Sequence, residues 1–598
     1  MKLKLLDGFG IKVLYIVEIN NYVVLSNDAL LSKIDISKCV DESEFLKFIN
    51  DNFPSRLVEF TNNISNLKQS KNKKIVNANE YTICMHPSRK CNLHCKYCFC
   101  RDEYLPYGEI DIDTAKKAID YIVFDYGAQG SMYTVDLSGS GEPLLRFEFI
   151  KELDEYCDFL RNITGKQILI KFATNATLLT DEIVNYLKNS KCIIYGVSID
   201  GNEKQNSNRQ YKNGKSIYSD LIIGIEKINN DLLGLAVTIT PNNEEVDEIY
   251  RSLYSLNVAA ISMHYVRDYD KRSTTSLYNI NMGNLLLHYN RLIDLLISHF
   301  EKGDYEFIKP LIQGDDYFGV LLTKVLFIGN IPQYTCPAGR SKITVNEKGD
   351  LYACSVMNGN DAFYLGDIYK GIDSSLQAKF FNSNIEMSNK CRDCWCRNIC
   401  AGECMANSYL QNKTFYEPNE FLCKLKLMLI PIAITFVEYL KINYPVAYLL
   451  IRNHAISSAT YSNSDSATWS ILKLLQHYNY KVTFSEVSKQ ISKLNSNNSK
   501  SVDVGIHPEF VEKYLKSFNI KFNAVIMENV TSVEQIKKFP VIAYLNKNKS
   551  IYHQYILVEC ASKETIQYRN LKNINSKTIE TESFLNYISN IFIGDFNL

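Results

Sequence analysis

The chain has 598 residues, with 66 basic and 66 acidic side chains and a formal net charge of zero. That balance leaves no electrostatic footprint for a polyanion and argues against nucleic acid as a partner; the length exceeds one hydrophobic core and predicts about three or four domains. No signal peptide opens the sequence, and the longest uncharged apolar run, Leu427 to Val437, is interrupted by Pro431 and too short to span a bilayer, so a soluble, cytoplasmic protein without a membrane span is expected.

In residues 1–78, Val13, Tyr15 and Val17 alternate, Asn20-Asn21 supplies a turn, and Tyr22 and Val24 resume the alternation, which predicts a hairpin. A helix is expected around Phe45 to Phe53, and KNKKIVNAN from Lys71 reads as a linker closing a small module, or a cap on the next domain. From Tyr81 strands and helices alternate. Strands are expected at Tyr81 to His86, Tyr133 to Ser138, Ile168 to Ala173, Ile193 to Ile199, Leu235 to Thr240 and Ala259 to Val266. Between the first two, Ala115, Ala118, Ile119, Ile122, Val123 and Tyr126 share one face of a helix behind an Asp113/Thr114 cap. Six such units predict a parallel sheet curling into a partial barrel over 79–290, with chemistry at the carboxyl ends of its strands. Residues 291–335 read as bridging helices and linker.

Seventeen cysteines without a secretion signal point to metal ligation rather than disulfides. Cys91, Cys95 and Cys98 lie in RKCNLHCKYCFCRD directly after the first strand. Three thiolates are one fewer than a [4Fe-4S] cubane takes, so one iron would stay open; buried small hydrophobes or a zinc knuckle are the alternatives. GSGEP (Gly139, Ser140, Gly141, Glu142, Pro143) follows the second strand, ATNAT with Asn175 ends the third, and VSIDG with Ser198 and Asp200 ends the fourth, with Arg209 in the loop beyond. Glycines admit a ligand close to the backbone, and polar residues ending apolar strands suit hydroxyl and carboxylate groups. Together with Tyr97 before the third cysteine, these motifs resemble the radical S-adenosylmethionine (SAM) superfamily. The resemblance implies that SAM chelates the open iron, that GSGEP, with Ser140 in place of a glycine, holds the SAM amino group, and that Asn175, Ser198, Asp200 and Arg209 serve its ribose and carboxylate. For Arg209 a solvated surface charge is the alternative.

A second field begins with Cys336 and Cys354 and continues in CRDCWCRNICAGEC (Cys391, Cys394, Cys396, Cys400, Cys404), with Cys423 after it. Its spacing is similar to the SPASM extension, placed here at 336–430, which carries two auxiliary [4Fe-4S] clusters. That resemblance assigns Cys391, Cys394, Cys400 and Cys423 to the outer cluster (auxiliary cluster II) and Cys336, Cys354 and Cys404 to the inner one (auxiliary cluster I), whose open iron could take a substrate thiolate. Cys396 is a further ligand or a free thiol. Zinc suits Cys-x2-Cys pairs equally well.

The N-terminal hairpin with helices is similar to the winged-helix recognition element that binds leader peptides by strand addition. Residues 431–598 resemble the C39 peptidase family, an α+β papain-like fold, with Ser466 or Asp465 at the nucleophilic cysteine's place, His553 at the histidine's, and Arg569-Asn570 where Asp-Pro is expected. A serine without an orienting carboxylate implies a non-cleaving peptide binder; an unrelated accessory domain is the alternative. The whole reads as an α/β protein built on a partial (β/α)6 TIM-type barrel. It implies a radical SAM maturase of a ribosomally made peptide, carrying SAM and three [4Fe-4S] clusters. A precursor peptide with its leader, an electron donor such as flavodoxin or ferredoxin, and a peptide exporter are the implied partners. A thioether is the preferred product, with a carbon–carbon link open. Formylglycine formation is an alternative, weakened by Ser355 where the sulfatase-type maturases place an aspartate base after the cysteine corresponding to Cys354. A metal-stapled peptide-binding scaffold without turnover is another.

Overall fold

In the computed structural model the described residues are 1–70, 80–100, 108–228, 233–270, 272–326, 336–382, 385–458, Leu474, and the strands between 536 and 596. The chain divides into two units, Met1–Ile451 and Arg452–Leu598.

Three antiparallel strands open the first unit, Leu3–Gly8 (β1), Ile11–Ile16 (β2) and Asn21–Leu25 (β3). Phe9 and Gly10 form the two-residue turn between β1 and β2, both with positive φ (54° and 70°), as a hairpin turn matched to strand twist requires. The expected hairpin is β2–β3; β1 escaped the reading because LKLLDG does not alternate. Both faces of this sheet are covered. Leu14, Ile16, Val23 and Leu25 pack with Phe45, Phe48, Ile49 and Phe60 from the helices Glu42–Asn52 (α1) and Leu57–Ser70 (α2). Val13, Tyr15, Val17 and Tyr22 belong instead to the main core of the unit. There the long helix Glu420–Asn443 meets the sheet: Phe9 packs on Phe436 and Tyr439, and the buried Tyr22 hydroxyl donates to Glu438 Oε1 at 2.7 Å.

The strands Glu80–Met85 (β4), Met132–Asp136 (β5), Gln167–Thr174 (β6), Ile193–Ser198 (β7), Gly234–Ile239 (β8) and Ala260–Tyr265 (β9) pair in parallel in sequence order, and all six lie where the hydrophobic pattern predicts them. The helices Ile112–Asp120 (α3), Phe147–Thr164 (α4), Asp181–Asn189 (α5), Tyr218–Glu226 (α6) and Val246–Tyr254 (α7) connect them. α3 starts a residue earlier than its pattern implied: Asp111 caps it, accepting from the Thr114 N–H and hydroxyl, and its continuation Tyr121–Tyr126 is wound as a π-helix. Beyond β9 come the helix Met282–Glu301 (α8), which begins before the expected bridging segment 291–335 and runs into it, and the shorter Tyr317–Lys324.

The sheet does not stop at six strands. Lys342–Val345 (β10) pairs in parallel with β4 on its free edge, and Asp350–Tyr352 (β11), Tyr364–Asp367 (β12) and Gly371–Ile372 (β13) extend it antiparallel, giving ten strands. The first part of the downstream cysteine field is therefore built onto the barrel's own sheet.

In the second unit, Ile536–Asn546 (β14), His553–Ala561 (β15), Thr565–Asn570 (β16), Asn573–Glu580 (β17) and Ile588–Phe596 (β18) form an antiparallel sheet in the order β17-β16-β15-β14-β18. His553 begins β15 opposite Asn546, and Arg569 of β16 stands opposite Leu557. Ser466 and Asp465 lie outside the described residues. Among the described residues no helix is long and apolar enough to cross a membrane.

Phe436 is fully buried where the N-terminal sheet meets the long helix. Phe436→Ala is expected to cost about 3–5 kcal/mol of stability, read as a lower midpoint in chemical denaturation.

Candidate functional site at the barrel mouth

The first strand runs straight into the cysteine loop, and the loop is held from both sides by backbone bonds. Glu142 N–H donates to Lys90 O at 2.9 Å from the GSGEP side, while His94 and Lys96 N–H donate to Gln210 O and Asn208 O at 2.7 and 2.9 Å on the other. Gly141 is the tightest contact: its φ is +67°, and a Cβ there would stand 2.2 Å from Ser88 O, so only glycine fits. Gly139 has φ +116°. Pro143 is buried and begins a short 3-10 turn capped by the Glu142 carboxylate, which accepts from Leu144 N–H.

Glu142 is buried, and both carboxylate oxygens are occupied. Oε1 accepts from the Thr174 hydroxyl at 2.7 Å and Oε2 from the Asn175 N–H at 2.8 Å, tying the ends of β5 and β6 together. Burial pushes its carboxyl above the ordinary range against those bonds. The Asn175 amide donates to Asn92 Oδ1 at 2.9 Å and reaches to 4.0 Å from Cys91 Sγ. Asn175 therefore braces the loop itself. Ser198 ends β7 half-buried.

Tyr97, Asp200 and Arg209, three of the expected SAM-binding side chains, bond to one another. The Tyr97 hydroxyl donates to Asp200 Oδ2 at 2.7 Å and accepts from Arg209 Nη1 at 2.7 Å, with Arg209 3.8 Å from Asp200 Oδ1. Arg209 is 7% exposed, so it is not the solvated surface charge weighed for it. Burial raises the Asp200 carboxyl, opposed by Arg209, by the Tyr97 hydroxyl and by the Thr238 N–H. This linkage pins the third-cysteine end of the loop to the end of β7.

Burial, first, pushes the Cys91 thiol up to about 11 and raises Cys95, with smaller contributions from the neighbouring thiols of the loop. Such thiols ionise on taking a metal. Their number, their freedom from disulfides and the glycine cradle beside them fit a cubane with one open iron. Among the described residues no group of three or more His, Cys, Asp or Glu is placed to hold a single metal ion.

Two residues at this mouth were not singled out from the sequence. Cys100 donates its thiol to Gly139 O at 3.2 Å, and the run CFC was the available signal. His86, at the end of β4, is buried, neither ring nitrogen has a hydrogen bond of ordinary geometry, and Nε2 stands 3.2 Å from where a Gly139 Cβ would be. Burial, then the Arg89 charge, lowers its pKa to about 4 against the pull of Asp136. Nothing in a lone strand-end histidine signals this.

The downstream cysteines form two groups. Cys391, Cys394, Cys396, Cys400 and Cys423 line one cavity, with Cys394 and Cys396 sulfurs 3.5 Å apart. Ser388 caps the turn bearing Cys391, Ala401 with φ +60° ends the turn bearing Cys400, and Cys423 lies in the first turn of the long helix behind its Asn419 cap. Burial, first, pushes the Cys336 thiol up to about 11 and raises Cys354, and Cys404 adds to both.

Residues 85–260 match the Radical SAM superfamily. The chain is 29% identical over 275 residues to an uncharacterized protein of Methanocaldococcus jannaschii, covering 46% of this chain and 84% of that one. It is 22% identical over 349 residues to the cysteine-type anaerobic sulfatase-maturating enzyme of Clostridium novyi (54% of this chain, 86% of the relative), and 24% identical over 397 residues to the radical SAM cyclopropyl synthase TigE of Paramaledivibacter caminithermalis (61% and 78%). Among solved structures, Streptococcus suis SuiB bound to S-adenosylmethionine is similar with a TM-score of 0.42 and 15% identity, over 70% of this chain and 99% of that one.

Arg209→Met leaves Asp200 buried and uncompensated and is expected to cost about 3–5 kcal/mol in chemical denaturation. His86 binds its proton less readily folded than unfolded, so its share of stability is present above about pH 6.5 and is lost as pH falls toward about 4. His86→Gln should therefore flatten the fall in Tm between pH 7 and 5.

Proposed function

We propose that the protein is a radical SAM maturase that crosslinks a ribosomally synthesised peptide, with the Cys91/Cys95/Cys98 loop at the barrel mouth as the single observation that carries the reading. In this reading those three thiolates would hold a [4Fe-4S] cluster, which with SAM bound would supply one-electron reductive cleavage of the SAM carbon–sulfur bond. Cys391, Cys394, Cys400 and Cys423 hold an outer auxiliary cluster and Cys336, Cys354 and Cys404 an inner one, with Cys396 as a further ligand or a free thiol. The backbone of Gly139 and Gly141 and the loop-end side chain Ser198 line the place for SAM. Glu142, Asn175, Tyr97, Asp200 and Arg209 keep that place rigid by bonding to one another and to the loop. Preorganisation of this kind lets the site orient a reactive species without rearranging around it.

The 1–78 module and the 431–598 region, read as a C39-like fold with Ser466 and His553 at degenerate positions, are proposed as binders of the precursor peptide and its leader. The electron donor is a flavodoxin or ferredoxin and the site of action the cytoplasm. A thioether is the preferred product, because the inner set offers three thiols, one fewer than a cubane takes, which would leave an iron open to a substrate thiolate.

Formylglycine formation is the second reading, and one position bears on it. Ser355 Oγ stands 3.8 Å from where a Gly139 Cβ would be, so residue 355 faces the mouth, and there it offers a hydroxyl in place of a carboxylate base.

Anaerobically reconstituted protein is expected to contain about twelve irons per chain, matched by sulfide, and to cleave SAM to 5′-deoxyadenosine. Cys95→Ala should abolish the cleavage. Co-expression with a short cysteine-bearing reading frame beside the gene should give a peptide lighter by about two hydrogens per crosslink in mass spectrometry. Zinc without sulfide, or an unchanged peptide mass, would count against the proposal; loss of the cysteine sulfur would favour formylglycine.

A further inference from the structure

Beside the outer cysteine cavity lies a buried ion pair that the reading above does not use. Lys426 Nζ stands 3.0 Å from Glu403 Oε2, with side chains only 13% and 4% exposed, and both residues line the cavity together with Cys391, Cys394, Cys400 and Cys423. The pair is fixed at both ends. Lys426 donates also to Gly402 O at 3.2 Å, and Glu403 Oε1 accepts from the Cys404 N–H at 2.8 Å. Lys426 lies over the Tyr317 ring, 5.7 Å from its centroid. Two further cations, Lys390 and Arg397, line the same cavity.

Burying an ammonium and a carboxylate costs more than their mutual attraction ordinarily returns, so stability alone is a weak reason for this pair. A thiolate-rich site is a better one. Four cysteine thiolates bring a large negative charge out of water, and each added electron increases it; a fixed cation in a low-dielectric wall opposes that cost.

We propose that Lys426, held in place by Glu403, is a positioning residue that raises the reduction potential of the cluster held by Cys391, Cys394, Cys400 and Cys423. The inference rests on the reading that those thiolates hold an iron–sulfur cluster. Glu403 acts with opposite sign: it orients the ammonium and partly offsets its field.

The test is an EPR-monitored redox titration of the reconstituted full chain. Lys426→Gln is expected to move the outer-cluster midpoint to lower potential, Glu403→Gln to move it higher, and Lys426→Arg to leave it near the wild-type value. The midpoint of the Cys91/Cys95/Cys98 cluster should stay unchanged in all three. Opposite shifts from the two neutralising variants are not what a merely loosened structure produces. If Lys426→Gln fails to load iron, the rise in Glu403→Gln carries the test. Three intact clusters with an unmoved outer midpoint in both variants would overturn this inference alone. Zinc at the outer cysteines in wild-type protein would overturn the cluster reading, and this inference with it.

Discussion

Strand β4 is hydrogen-bonded in parallel on both sides, to β5 and to β10, and the rest of the site depends on that double pairing. Its carboxyl end becomes the Cys91/Cys95/Cys98 loop. The β10–β11 hairpin lies between Cys336 and Cys354, so register along one strand sets the height of both cysteine fields relative to each other. A shift of a single residue would turn β10's buried Ile343 and Val345 to the opposite face. The inner cysteines are thus placed by the barrel's own ladder.

Around that strand the mouth is braced by polar groups that satisfy one another. Glu142 joins β5 to β6, Asn175 joins β6 to the cysteine loop, and the Tyr97–Asp200–Arg209 linkage joins the loop to β7. Glu142, Asn175, Asp200 and Arg209 are buried, and each linkage would be costly if one member were lost, which makes the mouth stiff rather than adaptable. Side chains that end strands at a ligand site can brace the site as well as touch the ligand, and the geometry here gives Asp200 and Arg209 the bracing part.

The N-terminal module follows the same logic on the far side. Its sheet is apolar on both faces, one closed by α1 and α2 and the other by the long helix that carries Cys423. Tyr15 packs edge-on to Trp395, between Cys394 and Cys396, and Asn398 donates to Val17 O. Through these contacts the first strands of the chain support the loop carrying the outer cysteines.

The sequence by itself determined the six parallel strands and the three-cysteine loop with GSGEP beside it, because each rests on short-range spacing or a two-residue period. It left Arg209 open between ligand and surface charge, and it did not show β1, the return of β10 to β4, the burial of His86 or the Glu403–Lys426 pair. Those were decided by tertiary structure. Arg209 meets Tyr97 across 112 residues and β10 meets β4 across some 260, and no local pattern encodes a partner at that distance. Burial then changes what a residue is for: the same arginine that reads as a solvated charge in a polar loop becomes, once out of water, a group that must be paired.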